Sequence, residues 1–172
     1  MTILPNEATF PLMLRVLYPG TFDPPTNGHL DIISRASIIF DEIVIVISDN
    51  PLKTCFFSPD ERYDMLSKLL RDIENVKLQV WDGLIVNFAA ENGIQVILRG
   101  VRPLSDFNYE FELSLLNKSL NADVETIFLP TDKKYFLVRS SSIKELAMLN
   151  ADISEMVPPL VVEALREKLQ KA

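Results

Sequence analysis

A doubly wound α/β fold, with five parallel strands and helices on both faces, is what this sequence predicts. Three observations carry that reading. Five short apolar runs alternate with helical segments along the chain, the pattern of repeated strand–helix–strand units. One run, Ile43-Val44-Ile45-Val46-Ile47, is β-branched and apolar at every position, as a strand covered on both faces requires. At 172 residues, nearly half of them apolar, the chain is long enough for one domain with a sizeable core. Right-handed crossovers then restrict the order of such units to a doubly wound sheet.

The elements follow in order. Residues 1–13 carry Pro5, Asn6, Glu7 and Pro11 without a period, and read as a flexible leader ahead of a single domain over 14–172. The first strand is expected at 14–18 and the first helix at 28–40, where Leu30, Ile33, Ser37 and Phe40 share a face. Asp41-Glu42 ends it, and the second strand occupies 43–47. A loop over 49–57 contains Pro51 and Lys53. Ser58-Pro59-Asp60-Glu61 then starts a helix to about residue 71, with a cap, a first-turn proline and acids near the positive end of the dipole. A strand at 76–80, a helix at 84–92 stopped by Gly93, and a short apolar strand at 94–98 come next. Residues 99–103 read as a turn, 104–120 as a helix and 124–129 as the fifth strand. A loop over 131–139 with Lys133 and Lys134, a helix over 140–149 and an amphipathic helix over 159–171 complete the chain. The whole is a Rossmann-like arrangement, without internal repeat or low-complexity tract.

Composition removes several classes of function. A formal charge of −7 argues against nucleic-acid binding, which requires a basic face. A small anionic ligand stays compatible, because a local group of Lys and Arg focuses positive potential on an acidic protein. No apolar run reaches membrane-span length, and residues 1–13 lack the basic start and apolar middle of a signal peptide, so a cytoplasmic protein is expected. The single cysteine, Cys55, leaves no intramolecular disulfide and no multi-cysteine zinc site; a half-buried small side chain is its simplest role.

The chemistry is expected around one stretch, Tyr18-Pro19-Gly20-Thr21-Phe22-Asp23-Pro24-Pro25-Thr26-Asn27-Gly28-His29, between the first strand and first helix. His29 is the only histidine and falls in the first helical turn. Free N–H groups and the positive helix end would converge there as an anion site. The same dipole disfavours the imidazolium, so the ring suits hydrogen bonding to a phosphate. Doubly wound folds bind ligands outside the carboxyl ends of their strands. Thr21, Lys53, Arg99, Arg102 and the segment at Ser140 all fall at such ends. No Gly-x-Gly-x-x-Gly follows the first strand, which disfavours a dinucleotide dehydrogenase.

Three motifs resemble one family. The twelve-residue turn is similar to the Thr/His-x-Gly-His signature of nucleotidylyltransferases, in the form found in phosphopantetheine adenylyltransferases. Val138-Arg139-Ser140-Ser141-Ser142-Ile143-Lys144-Glu145 resembles the family's Ile-Ser-Ser-x-x-x-Lys/Arg motif, with Arg139 where the first serine is usual. Read on its own, the spacing of Ser142 and Glu145 is also that of a capping box. Arg99-Gly100-Val101-Arg102, followed by Asp106-Phe107-Asn108-Tyr109-Glu110, is similar to the family's Arg-Gly-x-Arg and Asp-Phe-x-Tyr-Glu segments. The resemblance spans about residue 14 to the C-terminus.

It implies transfer of an adenylyl group from ATP to 4′-phosphopantetheine, giving dephospho-coenzyme A and pyrophosphate. His29 and Lys53 are then assigned to the reacting phosphate. ATP contacts fall to Thr21, Phe22, His29, Gly100, Val101, Arg102, Glu110, Val138, Arg139, Ser140, Ser141 and Lys144. Thr21, Lys53, Ile85 and Arg99 take the acceptor. The resemblance further implies magnesium carried with ATP and no metal held by protein side chains, a homohexamer, and feedback inhibition by coenzyme A. Two competitors stay in view: a nucleotidylyltransferase with another acceptor, such as nicotinate mononucleotide or a cytidylyltransferase's, and a non-catalytic nucleotide-binding module on the same fold.

Overall fold

The computed structural model describes residues 13–50, 54–102 and 104–171; the expected leader, apart from Met13, lies outside the described residues. Five strands, β1 (Arg15–Gly20), β2 (Glu42–Ser48), β3 (Val76–Trp81), β4 (Val96–Val101) and β5 (Glu125–Pro130), form one sheet in the order β3-β2-β1-β4-β5. Every neighbouring pair is parallel. Helices α1 (Asn27–Ile39), α2 (Pro59–Leu69), α3 (Ile85–Glu91) and α4 (Leu104–Leu120) make the four crossovers, and α5 (Ser140–Met148) and α6 (Pro159–Lys171) follow β5. This is the Rossmann-like α/β fold expected from the alternation of elements. The chain winds from β1 out to β3, then returns to begin β4 on the other side of β1. That reversal is the switch point, where Leu17 pairs with Ile97.

Alternation along the central strands sets up two cores. Val16, Tyr18, Ile43, Ile45, Ile47 and Leu98 pack against Ile32, Ile33 and Ala36 of α1 and Leu66 of α2. Leu17, Val44, Val46 and Ile97 face the other way, onto Val86, Phe88 and Ala89 of α3. Each fully buried side chain of this size stabilises by about 1.5–3 kcal/mol, which makes β2, buried from Glu42 to Ile47, the anchor of the sheet. A third cluster joins Ile143 of α5 and Val161 and Leu165 of α6 to Phe57 and Met65. It fastens α5 beside the turn that follows β1.

Several boundaries differ from expectation, each for a physical reason. β1 and β4 run further toward their carboxyl ends, so Pro19, Gly20, Arg99, Gly100 and Val101 are strand residues. The expected start of the fourth strand at Ile94 gives way to Val96, where pairing with Glu125 begins. Gly100 reads as a turn signal, yet it faces α1: a Cβ there would stand 3.2 Å from Ile32 Cγ1. The glycine admits a helix close to the sheet instead of breaking the strand. The capping box inferred from Ser142 and Glu145 is not formed, because α5 starts three residues earlier, with Arg139 at its N-cap. The box expected only as a helix start at Ser58 is complete, with Ser58 and Glu61 exchanging hydrogen bonds of 2.7 and 3.2 Å.

Candidate active site

The carboxyl ends of β1 and β4, together with the start of α5, enclose a crevice of about 600 Å³. It lies at the topological switch point, where neighbouring strand ends diverge. Its floor is the turn after β1. Phe22 there has a φ of 51°, which folds its ring back over Gly20. A Cβ on Gly20 would come within 2.8 Å of Phe22 Cζ, so the position excludes any side chain. The buried ring stands edge-on to Tyr18, 5.7 Å between centroids, and edge-on to His29, 5.0 Å away. Phe22 is thus the platform beneath the histidine.

The turn ends in a capping box of unusual composition. Thr26 caps α1, its hydroxyl accepting from the His29 amide at 3.3 Å, and the His29 ring occupies the place where Glu or Gln is usual. The Thr26 amide donates to His29 Nδ1 at 3.1 Å. A nitrogen that accepts an N–H carries no proton, so the neutral ring bears its hydrogen on Nε2. Burial, then the positive charges of Arg102 and Arg99, push the imidazole down from 6.5 to about 4. His29 is therefore a fixed, uncharged donor at neutral pH. The amides of α1 contribute less than the sequence suggests, because Asn27 N donates to Met156 O at 3.0 Å.

This assignment predicts that the His29 ring titrates near 4 in an NMR pH series, where a free histidine would show 6.5. Between those values the unfolded chain binds the extra proton and the folded chain does not. Stability should accordingly rise with pH across that window and be level above it.

Opposite the histidine stands α5. Its N-cap residue, Arg139, makes no side-chain cap hydrogen bond, which leaves its first amides a place for an anion. Arg102 Nη1 donates to Val138 O at 2.6 Å, tying the end of β4 to the segment before the helix. Ser140 Oγ donates to Pro24 O at 2.9 Å, which locks the helix start to the turn. Lys144, one helical turn on, donates to Asp23 Oδ2 at 2.6 Å. The buried Asp23 carboxylate also accepts from the amides of Phe56 and Phe57, at 2.9 and 2.8 Å.

On the other wall, Arg99 and Glu110 form a two-point ion pair of 2.6 and 2.7 Å, and Arg99 also donates to Pro19 O at 2.9 Å. The crevice thus brings together Thr21, Phe22, His29, Arg99, Gly100, Arg102, Glu110, Val138, Arg139, Ser140, Ser141 and Lys144 from four separated stretches. Val101 is buried and does not line it. Ile85, the first residue of α3, packs against the core on that face and is also absent from the lining. Lys53 lies outside the described residues.

Sequence reading missed three organising groups. Asp23 was hidden inside the motif, although an acid before a proline in a glycine turn is a signal of local hydrogen bonding. Thr26 was legible as a cap, three residues before His29. Arg62 left no trace, because a charged residue on a polar helix face reads as solvated.

Among the described residues no group of three potential ligands gathers, and the carboxylates of the crevice, Asp23 and Glu110, are committed to Lys144 and Arg99. The surplus of cations, an uncapped helix start and a neutral N–H donor suit a polyphosphate. They supply charge stabilisation and alignment rather than a general base.

Comparison with known proteins agrees with this chemistry. A family model for cytidylyltransferase-like proteins matches residues 17–146. The chain is 45% identical over 155 residues to a phosphopantetheine adenylyltransferase of Thermotoga neapolitana, covering 90% of this chain and 96% of the relative. It is 47% identical over 153 residues to one of Desulfosudis oleivorans, covering 89% and 91%. The same enzyme of Clostridium tetani is 47% identical over 152 residues, covering 88% and 95%. A solved structure from Vibrio parahaemolyticus, described as a nicotinate-nucleotide adenylyltransferase, superposes with a TM-score of 0.64 at 18% identity, over 88% of this chain and 97% of that one; at that identity it speaks for the fold alone. With relatives at 45–47% identity matched almost end to end, the chain belongs to the phosphopantetheine adenylyltransferase family of nucleotidyltransferases.

Proposed function

We propose that this protein transfers the adenylyl group of ATP to 4′-phosphopantetheine, forming dephospho-coenzyme A and releasing pyrophosphate. The observation that carries the reading is the neutral His29 ring, its Nδ1 held by Thr26, in the same crevice as the uncapped start of α5. An oxygen of the acceptor's phosphate attacks the α-phosphorus of ATP. That new P–O bond forms as the bond to the β-phosphate breaks, and the leaving pyrophosphate keeps the electron pair. The attacking phosphate is already anionic, so no base is required. His29 Nε2–H donates to the oxygens that gain charge. Ser140, Ser141 and the helix start behind them hold the β- and γ-phosphates, and Arg102 and Lys144 offset their charge. Thr21 binds both substrates at the turn. Lys53 orients the acceptor phosphate, and Arg99 and Ile85 serve its pantetheine side.

Magnesium would arrive with ATP, bound by phosphate and water, and would neutralise part of the triphosphate charge. Assembly as a homohexamer and inhibition by coenzyme A belong to the same reading. Exposed apolar residues along α4, among them Leu115, Leu116 and Leu120, support burial against further copies. A cytoplasmic location accords with a chain in which no described helix is long and apolar enough to cross a membrane.

Pyrophosphate release from ATP across a panel of acceptors tests the proposal. We expect release with 4′-phosphopantetheine and none above background with nicotinate mononucleotide. Release with a different acceptor, or ATP binding without release, would replace this reading by one of its competitors.

A further inference from the structure

Arg62 of α2 is fully buried, yet it faces neither solvent nor the crevice. Its guanidinium spans three segments. Nη1 donates to Thr21 O at 2.9 Å, in the turn after β1, and to Ser48 O at 3.1 Å, at the end of β2. Nη2 meets Asp49 Oδ1 at 2.8 Å. Nε donates to Phe57 O at 3.1 Å and to Ser58 O at 3.3 Å, at the start of its own helix.

Stability alone is a poor reason for such a group. A buried charge loses its hydration, and its carboxylate partner among the described residues, Asp49, is 40% exposed; apolar residues of similar volume commonly stabilise as well as a buried pair. What only arginine supplies is a rigid planar fork that reaches several carbonyls at once. Of the carbonyls it holds, only that of Thr21 belongs to a residue lining the crevice. With that oxygen pinned from behind, the Thr21 peptide is fixed relative to the ends of β1 and β2.

We infer that Arg62 is a positioning residue for Thr21, setting the placement of the turn against which the two substrates are aligned. The inference rests on the adenylyl-transfer reading above. Arg62 touches no substrate and acts only through Thr21.

A double-mutant cycle tests it, using turnover of wild type, Arg62→Lys, Thr21→Ala and the double variant. Lysine keeps the charge beside Asp49 but cannot make the fork. The expected loss for Arg62→Lys is about 10²-fold in turnover, the scale of a misplaced reacting group. In the Thr21→Ala background the same change should cost nothing further, since the group being placed is gone. An equal loss in both backgrounds, or Thr21→Ala working at the wild-type rate, overturns the inference. Should Arg62→Lys fail to fold, Asp49→Asn loosens the same fork and enters the same cycle with the same criterion. Wild type that makes no dephospho-coenzyme A refutes the proposed reaction instead; the cycle is then read on the dissociation constant for ATP, with coupling in support and additivity against.

Discussion

Replacing His29 with alanine should lower turnover by about 10²–10³-fold, the usual cost of one transition-state donor, while ATP affinity changes far less. The ring is aligned in advance by Thr26 and by the Phe22 edge, so its Nε2–H meets developing charge without reorganising. It is neutral because burial and two arginines hold it near 4. It therefore acts as a donor of fixed form and adds no step of its own to the pH profile of turnover near 6.5. The fold should survive, since the loss of the reciprocal half of a capping box costs about 1 kcal/mol. Steady-state turnover, calorimetric ATP binding and circular dichroism on one preparation check all three parts. An unchanged turnover number removes His29 from the mechanism.

The largest effect on stability is expected at Asp23. Its buried carboxylate accepts from the Phe56 and Phe57 amides and from Lys144. Alanine there orphans the buried Phe57 amide and the half-buried Phe56 amide and leaves an ammonium ion without its partner. Breaking a buried pair from one side costs about 3–5 kcal/mol, a large share of a domain's total of about 5–15 kcal/mol. Chemical denaturation should show that loss for Asp23→Ala and a smaller one for Asp23→Asn, which keeps an acceptor for the amides. If Asp23→Ala unfolds at the wild-type denaturant midpoint, the carboxylate does not organise the site as described.

Much of the fold was legible because β2 is uniformly apolar and because helices separate the strands at regular intervals. Both are local properties of the chain. Strand ends were harder. Pro19, Gly20 and Gly100 carry turn chemistry, and only the sheet neighbours and the approach of Ile32 make strand residues of them. The crevice was legible where residues of distinctive chemistry sit at strand ends, as with His29, Arg102 and Ser140. It was not legible where a side chain works from behind. Asp23 and Arg62 act on backbone atoms of other segments, and no spacing in the sequence records such partners, whereas Thr26, three residues before His29, leaves a spacing that can be read. Phe22 is an intermediate case: its place in the motif marks it, while its burial under His29 emerges only from the positive φ of the turn. Lys144 is likewise marked by its motif but engaged to Asp23 across 121 positions of chain.

The central claim is that a nucleoside triphosphate lies across the switch point, between an uncharged imidazole and the open end of α5. A crystal structure with ATP bound tests it most directly. The account predicts the α-phosphate within hydrogen-bonding reach of His29 Nε2 and the terminal phosphates on the amides of Ser140 and Ser141. A triphosphate seated on another surface, away from both, would contradict it.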